Sequence, residues 1–340
     1  MTDVDSPHRI LQQVLGDSYG IDLARLEPAR RGMMSDAFEA VASDGQRWFV
    51  KIPLDRPCYQ VDSRGREAAL RSTLEVRSLI MSANVIAPVL TVEGKVSATA
   101  GGHTVTLFPF VEGAPLGRRA TWTNDQFATI ATAMAELHAC TSLVNNLPIE
   151  DSLGLWWGAS LEDAWRAFQE SPSAGEARSV VLQTVSSHLG EIRRAEAECL
   201  RLRELINGGR QDWVLCHCDL NGGNIHADAE GRLSIVDWDE MLLAPMERDL
   251  RHLVDMPRLD LALSAYHAVR PEARPNADAL AFFLYRGYLA DIAYWLCDLA
   301  SSPDDTVDPS LNLEDFVGEV EFVAGPGLPE RVAVLRHWLA

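Results

Sequence analysis

Residues 213–240, WVLCHCDLNGGNIHADAEGRLSIVDWDE, hold the densest set of polar side chains in the 340-residue chain. An apolar run at the start of this stretch predicts a strand that ends at a loop carrying His217, Asp219 and Asn224. A second apolar run delivers Asp237 thirteen residues after Asn224, and a glycine between the two runs predicts a hairpin turn. The stretch therefore gathers an imidazole, an amide and two carboxylates at the ends of short strands.

This set of side chains suits phosphoryl transfer, a reaction that needs positioning and charge neutralisation more than covalent help. Asp219 supplies a carboxylate that can orient an attacking hydroxyl group. Asn224 and Asp237 supply the hard oxygen ligands that Mg²⁺ prefers. We interpret His217 as a brace that hydrogen-bonds within the loop, and the glycines at 222–223 as the residues that let the loop turn tightly.

Cys216 and Cys218 flank His217, which raises the alternative of a bound metal ion at this place. A zinc cluster takes two pairs of ligands at characteristic spacings, and no second pair is present in the sequence. The six cysteines also lack the paired spacing of a disulfide framework. We therefore favour phosphoryl transfer as the chemistry of this stretch.

The first 110 residues combine short strand patterns, tight turns and one long helical pattern. Strand patterns cover 37–42, 47–52, 85–92, 95–100 and 104–111. Residues 64–81 predict a helix inserted after the second strand. Its apolar positions available for burial are Ala68, Leu70, Leu74 and Leu79. These patterns predict a small, mainly antiparallel sheet with one inserted helix.

Beyond residue 110 the sequence becomes mostly helical. Thr123 and Gln126 form a capping-box pattern before an apolar helical run. Further helical patterns cover 160–170, 178–206 and 276–300. The sequence therefore predicts an α+β chain with two lobes, a small β-sheet lobe of residues 1–110 and a larger, mainly helical lobe of residues 111–340 that also carries the β segment around 213–237.

Lysine is rare in this chain, and Lys51 is one of two lysines among the 30 basic residues. Lys51 ends the strand pattern 47–52, in which its neighbours are apolar. A buried ammonium group is costly unless anions surround it. The position of Lys51 therefore predicts an anionic partner nearby.

The segment from His217 to Asn224, with Asp237 on the following strand, resembles the protein-kinase catalytic loop and its metal-binding aspartate. It is more closely similar to the aminoglycoside phosphotransferase family, whose signature is His-x-Asp-x-x-x-x-Asn followed by a strand that bears an aspartate. That family usually has a small residue such as glycine where this chain has Cys218, and we expect the small, uncharged cysteine to be tolerated there. Residues 237–250, with Asp-Trp-Asp-Glu and Ala-Pro-Met-Glu-Arg-Asp-Leu, are similar to the spectinomycin-type branch of the family.

The resemblance implies a two-lobed, protein-kinase-like fold that binds ATP or GTP together with Mg²⁺. It implies that Lys51 binds the α- and β-phosphates and pairs with a glutamate on the inserted helix, either Glu67 or Glu75. It also implies that Asp249 supports the catalytic loop through hydrogen bonds.

Further nucleotide contacts are implied by position within the family pattern. Gly32 and Ser35 lie where the family places its nucleotide-covering loop, although a plain turn capped by the serine is the alternative. Residues 106–110 correspond to the hinge that binds the adenine edge, which makes Phe108 and Phe110 candidates for nucleotide binding.

The charge of the chain is unevenly distributed along its length. Residues 111–340 carry 36 acidic and 18 basic side chains, whereas residues 1–110 carry 13 acidic and 12 basic ones. Such a field attracts cations and repels nucleic acid and anionic membranes. Solubility alone is the alternative explanation. The candidate substrate contacts in the acidic half are Asp239, Glu240, Asp291 and Trp295.

By resemblance we expect an O-phosphotransferase that moves the γ-phosphate of ATP or GTP to a hydroxyl of a cationic aminocyclitol or aminoglycoside-type antibiotic, with spectinomycin as the first candidate. The alternatives are the same chemistry on hygromycin A, choline or homoserine, and a pseudokinase that binds without turnover. The acidic, polar residues 1–7 do not look like a secretory signal, and no apolar run is long enough to span a membrane. We therefore expect a cytoplasmic monomer or homodimer.

Overall fold

The computed structural model describes residues 7–29, 35–54, 63–145, 147–149, 161–172, 175–206, 213–254, 258–301 and 313–339. The chain forms two compact units. The first consists of Met1–Leu54, Val61–Ile149 and Trp213–Ala273, and the second of Asp55–Gln60, Glu150–Asp212 and Arg274–Ala340.

The N-terminal part of the first unit is built on an antiparallel sheet. The first six strands of the chain are β1 (Leu23–Pro28), β2 (Ser35–Ala42), β3 (Arg47–Pro53), β4 (Asn84–Val85), β5 (Ala98–Ala100) and β6 (His103–Pro109). Five of them form one sheet in the order β1-β2-β3-β6-β5, and every neighbouring pair in it is antiparallel. Helix α1 (Pro7–Tyr19) precedes this sheet in the chain, and helix α2 (Ser63–Val76) follows β3.

The two faces of this sheet pack against different helices. Because side chains alternate along a strand, Val50 of β3 faces the core that α1 covers, where Leu15 is fully buried. The neighbouring Phe49 packs in the other core, with Leu70 of α2 and Phe108 of β6. Lys51 is two residues after Phe49, so the pleat places the ammonium group on the α2 side of the sheet.

Short strands support the polar stretch 213–240. They are β7 (Ala114–Pro115), β8 (Val214–Cys216), β9 (Ile225–Ala227), β10 (Leu233–Ile235) and β11 (Leu242–Ala244). One sheet has the order β4-β10-β9-β7, and β8 pairs with β11 in a separate antiparallel ladder. The antiparallel pair β9-β10 is the hairpin expected from the sequence, and Gly231 in its turn has a φ of 79°.

Helices make up most of the remaining described chain. They are α3 (Asn124–Ala139), α4 (Leu161–Glu170), α5 (Glu176–Ile206), α6 (Glu247–Leu250), α7 (Leu259–Val269), α8 (Ala277–Ser301), α9 (Leu313–Ala324) and α10 (Gly327–Trp338). Helix α3 begins with the expected capping box, in which Gln126 N donates to Thr123 Oγ1 at 3.2 Å and Thr123 N donates to Gln126 Oε1 at 2.8 Å. Of these helices, α3, α6 and α7 lie in the first unit, which also contains α1 and α2, and α4, α5, α8, α9 and α10 lie in the second unit.

The fold class expected from the sequence is confirmed: a small antiparallel sheet precedes a mainly helical part. The division at residue 110 stays a prediction. The strand expected over 85–92 is wrong, because β4 ends at Val85 and pairs in parallel with β10. Pro88 lacks the N–H that a continuing ladder needs. Among the described residues, no helix combines the length and the apolar character needed to cross a membrane.

Gly113 directly precedes β7, the strand that pairs with β9, and its φ is 128°. A Cβ at this position would collide with the carbonyl of Ala227 in β9. We predict that Gly113→Ala lowers the free energy of unfolding by about 3 kcal/mol, because backbone strain and a collision add. Gly45→Ala is the matched control, since Gly45 has a φ of 86° with open space around it. Gly45→Ala should lower the free energy of unfolding by about 1 kcal/mol. Equal decreases for the two variants, measured by urea unfolding, would contradict the collision at Gly113.

Candidate active site

The loop after β8 is fixed by His217, which is fully buried. The ring accepts a hydrogen bond at Nδ1 from the backbone N–H of Asp219 at 3.2 Å. Its Nε2 lies 3.0 Å from the carbonyl oxygen of Val236, so Nε2 carries the proton and donates. The ring also packs on Trp238, with the centroids 4.4 Å apart. The imidazole therefore ties the loop to the strand that leads to Asp237, as a brace would.

The carboxylate of Asp219 is held by two side-chain amides. Asn221 Nδ2 donates to Asp219 Oδ1 at 2.7 Å, and Asn224 Nδ2 donates to Asp219 Oδ2 at 2.7 Å. Asn224 also donates to the backbone carbonyl of Asp219 at 2.9 Å. The carboxylate is half-buried and keeps lone pairs that can accept a hydrogen bond from a hydroxyl group.

Asp249 anchors the loop from below and is fully buried. Its Oδ2 accepts the backbone N–H of His217 at 2.8 Å, and its Oδ1 accepts the backbone N–H of Cys218 at 2.7 Å. The expected support of the catalytic loop by Asp249 is thus confirmed. On α3, the Nε2 atom of His138 lies 3.2 Å from Asp249 Oδ2. The Nδ1 atom of the same ring lies 2.6 Å from the hydroxyl oxygen of Tyr266.

Burial and hydrogen bonding act against each other on the pKa of Asp249. Burial raises this pKa, but the hydrogen bonds from His138 and from the backbone N–H of His217 outweigh burial and hold the pKa below its ordinary value. Burial lowers the pKa of His138, against the opposing effect of Asp249. A neutral His138 donates from Nε2 to Asp249 and accepts the Tyr266 hydroxyl at Nδ1, which satisfies both ring nitrogens. Cys216, 3.9 Å from His138, stays a thiol because burial raises its pKa well above its ordinary value.

Two non-glycine residues of the site adopt left-handed backbone conformations. They are Cys218, with a φ of 77°, and Asp237, with a φ of 64°. The glycine typical of the family at position 218 suits this conformation, and cysteine occupies it at some cost in strain. Gly222 lies in the expected tight turn, which is closed by the bond from Asn224 N to Asn221 O at 3.0 Å. A Cβ at Gly222 would also collide with the backbone of Gly117, whose N–H donates to the carbonyl oxygen of Gly222 at 3.0 Å.

Lys51 lies in a cluster of charged side chains. Its Nζ is 2.5 Å from Asp237 Oδ1 and 3.0 Å from Asp239 Oδ2, and Asp239 Oδ2 also lies 2.5 Å from Arg66 Nη2. Burial lowers the pKa of Lys51, but the charges of Asp237 and Asp239 outweigh it and raise the pKa above its ordinary value. Lys51 is therefore a buried ammonium with anionic partners, as its place in the sequence predicts.

The expected pair between Lys51 and Glu67 is not formed. Glu67 is exposed and lies 3.6 Å from Arg71. The reason is the rotation of α2 about its own axis, which decides which face of the helix is buried. The buried face is a stripe that includes Arg66, Ala69, Leu70, Thr73 and Val76. Glu67 is one residue, or about 100°, away from that stripe. Glu75, the alternative partner of Lys51, is exposed as well. Leu79 was expected to be buried, but it is 43% exposed.

The oxygen donors around the loop fit a divalent cation. Asn224 uses its amide nitrogen in both side-chain hydrogen bonds, so its amide oxygen is the atom available as a ligand. The Asp237 side chain is 37% exposed, which leaves it accessible to an ion. An amide and a carboxylate oxygen are ligands that Mg²⁺ prefers. The two residues therefore suit the role expected from the sequence.

The remaining nucleotide candidates are distributed along the N-terminal sheet. Ser35 is buried at the start of β2. Phe108 is buried against Leu70, so only its backbone could serve an adenine. The N–H of Phe110 donates to Arg47 O at 3.3 Å, and the Arg47 guanidinium stacks on the Phe110 ring at 3.7 Å from the centroid. Gly32 lies outside the described residues.

The candidate substrate residues separate into two groups. Asp239 lies in the cluster around Lys51, and Glu240 follows it in the first unit. The expectation that Asp239 is open to a substrate ammonium group is not met, since two cations of the chain already neutralise it. Trp295 of α8 is buried in the second unit and packs on Phe316 at 5.0 Å, which makes it a core residue.

Asp291 belongs to a carboxylate group in the second unit. It is exposed on α8, and its charge acts on Glu319 of α9. Burial, followed by the charges of Asp291 and Asp315, raises the pKa of Glu319 to about 8. The role of Asp291 as a contact for a substrate cation stays a prediction.

Sequence reasoning missed four residues that shape the site: His138, Asn221, Arg66 and Gly117. A single histidine among apolar helical positions is weak evidence for a functional role, and Asn221 lies between motif residues without belonging to the motif. Arg66 was detectable in principle, because it falls four residues before Leu70 on the buried stripe of α2.

Comparisons with known proteins concern the family and the fold of the chain. A family model described as a phosphotransferase enzyme family matches residues 25–283. No curated protein matches the chain. The structure is similar to that of a spectinomycin phosphotransferase in complex with ADP and spectinomycin, with a TM-score of 0.70 and 18% identity over 98% of this chain and 99% of that chain.

Two further solved structures are similar to the chain. A microcompartment-associated aminopropanol kinase has a TM-score of 0.63 and 17% identity over 96% of this chain and 99% of that chain. A choline kinase from Streptococcus pneumoniae has a TM-score of 0.55 and 16% identity over 95% of this chain and 99% of that chain. At these identities the likeness shows the fold.

The buried His138 predicts a dependence of stability on pH. Its pKa is lowered in the folded state, so the unfolded chain binds the proton more readily once the pH falls to about 6.5. The stability that neutral His138 provides is therefore complete above that pH and decreases below it. We predict that the difference in free energy of unfolding between the wild type and His138→Gln shrinks between pH 7.5 and pH 5.5. Urea unfolding measures it, and a constant difference would contradict the assignment.

Proposed function

The chain belongs to the phosphotransferase enzyme family, and from that premise we propose that it transfers the γ-phosphate of ATP or GTP to a hydroxyl group of a cationic aminocyclitol or aminoglycoside-type antibiotic. Spectinomycin is the first candidate. The observation that carries the phosphoryl transfer is the Asp219 carboxylate, which two amides hold at 2.7 Å each on a loop anchored by Asp249.

The protein groups divide the work of the reaction. Asp219 accepts the hydrogen bond of the substrate hydroxyl and orients its oxygen towards the phosphate. Asn221 and Asn224 hold that carboxylate in one orientation, so little reorganisation is needed when the hydroxyl group arrives. Lys51 provides a fixed positive charge for the nucleotide phosphates. Mg²⁺, held by Asn224 and Asp237, would neutralise charge on the transferred phosphate.

A cationic substrate is supported by the charge of the chain. Residues 111–340 carry 18 more acidic than basic side chains, and such a field raises the local concentration of cations near the protein. The family resemblance of residues 237–250 supports spectinomycin within that class. Choline and homoserine remain the alternative substrates, and the similar aminopropanol and choline kinases make amino alcohols worth testing.

A substrate panel tests this proposal. The rate of ADP formation is measured with a coupled assay in the presence of ATP and Mg²⁺. Among spectinomycin, hygromycin A, choline and homoserine, we predict the highest kcat/KM for spectinomycin. A higher kcat/KM with choline or homoserine would show that the substrate is a metabolite and not an antibiotic. If nucleotide binds but no compound raises ADP release above background, the chain is a pseudokinase.

Asp219→Asn tests the role of the catalytic loop. The substitution keeps the shape of the side chain and one of the two amide contacts, because an asparagine has one acceptor oxygen. It removes the basic group, so kcat should fall about 10²- to 10⁴-fold while the Kd for ATP is unchanged. Asp44→Asn, on the exposed turn between β2 and β3, is the matched control and should keep full activity. Near-normal turnover by Asp219→Asn would show that another group orients the hydroxyl.

A further inference from the structure

Arg66 carries a buried charge to which neither the family pattern nor the proposed reaction assigns a role. It lies in the first turn of α2, on the buried stripe, and is 5% exposed. Its Nη2 approaches Asp239 Oδ2 to 2.5 Å, on the same carboxylate oxygen that meets Lys51 at 3.0 Å. The inserted helix thus presents an arginine to the Lys51 cluster in the place where a glutamate was expected.

The cluster is electrically balanced without any ligand. Lys51 and Arg66 contribute two positive charges, and Asp237 and Asp239 contribute two negative ones. A glutamate in place of Arg66 would have left Lys51 as the single cation among three carboxylates. The arginine therefore doubles the positive charge that the cluster can offer to an incoming anion.

The hydrogen-bonding capacity of Arg66 is not used up by its contacts. Its Nε is buried and has no hydrogen-bond partner among the described residues, and the same holds for Asp239 Oδ1. A buried N–H without a partner costs free energy, so native proteins seldom keep one unless a ligand or an ordered water satisfies it. The guanidinium is thus buried, charged and incompletely bonded beside the group proposed to bind phosphate.

We propose that Arg66 is a second phosphate-binding cation, which together with Lys51 binds the polyphosphate of the nucleotide. The inference rests on the proposed function. A polyphosphate offers several oxygens, and a planar guanidinium binds such oxygens through two parallel N–H donors, which an ammonium group cannot do. Phosphate oxygens take the place of Asp239 at Arg66, so the pair between Arg66 and Asp239 is the nucleotide-free arrangement. The competing explanation is that Arg66 only holds Asp239 in place.

Calorimetric titration with adenosine, AMP, ADP and ATP in the presence of Mg²⁺ separates these explanations. Arg66→Gln should weaken ATP and ADP binding by about 10- to 100-fold, the effect of losing hydrogen bonds from a charged donor, and should leave adenosine binding unchanged. Arg66→Lys keeps the charge, so its affinity for ATP and ADP should lie between that of the wild type and that of Arg66→Gln. Arg71→Gln is the matched control, because Arg71 lies on the same helix with 49% of its side chain exposed.

The double variant Arg66→Gln/Asp239→Asn guards against misfolding, since it removes both members of the pair and leaves no uncompensated buried charge at Asp239. If it folds and its ATP affinity falls while adenosine binding stays, the proposal stands. Wild-type affinity for ATP in the folded variants, or equal weakening of adenosine and ATP, would overturn it and leave the proposed function intact. Absence of nucleotide binding by the wild-type protein would overturn both.

Discussion

The buried carboxylate of Asp249 is the contact on which the rest of the catalytic region depends. Its two oxygens accept the backbone N–H groups of His217 and Cys218, and His138 supports it from α3. A carboxylate buried without these donors would be strongly destabilising, so the loop, the helix and the anchor have to form together. The left-handed backbone at Cys218 follows from this arrangement, because the turn must direct two consecutive N–H groups at one side chain.

From that anchor the polar groups are set in place by short connections. His217 ties the loop to Val236, which directly precedes Asp237. Asp237 then meets Lys51, which the pleat of β3 has placed on the α2 side of the N-terminal sheet. Within the first unit, a chain of contacts thus joins α3, the catalytic loop, the β9-β10 hairpin and β3. The groups proposed to bind the nucleotide and to orient the hydroxyl are mutually positioned by this chain of contacts.

The sequence predicted the parts of this arrangement that depend on local order. Residues 213–240 show the strand, loop and hairpin directly, because their spacing is fixed by the chain itself. The phase of α2 was not predictable from local order, since Arg66 and Glu67 are neighbours and the choice between them depends on which stripe packs against the sheet. The role of His138 depends on Asp249, which lies 111 residues later in the chain. The collision that excludes a side chain at Gly222 involves Gly117, and neither contact follows from the spacing of residues in the sequence.

The central claim is that this loop transfers a phosphoryl group to a small-molecule hydroxyl. ³¹P NMR of the wild-type protein with ATP, Mg²⁺ and, in turn, spectinomycin, hygromycin A, choline and homoserine tests it most directly, because the spectrum shows both the phosphorylated product and the loss of the γ-phosphate. The account predicts that a phosphomonoester signal grows as the γ-phosphate of ATP disappears, at the same rate as ADP forms. Inorganic phosphate as the only new signal, or an unchanged spectrum with nucleotide bound, would contradict it.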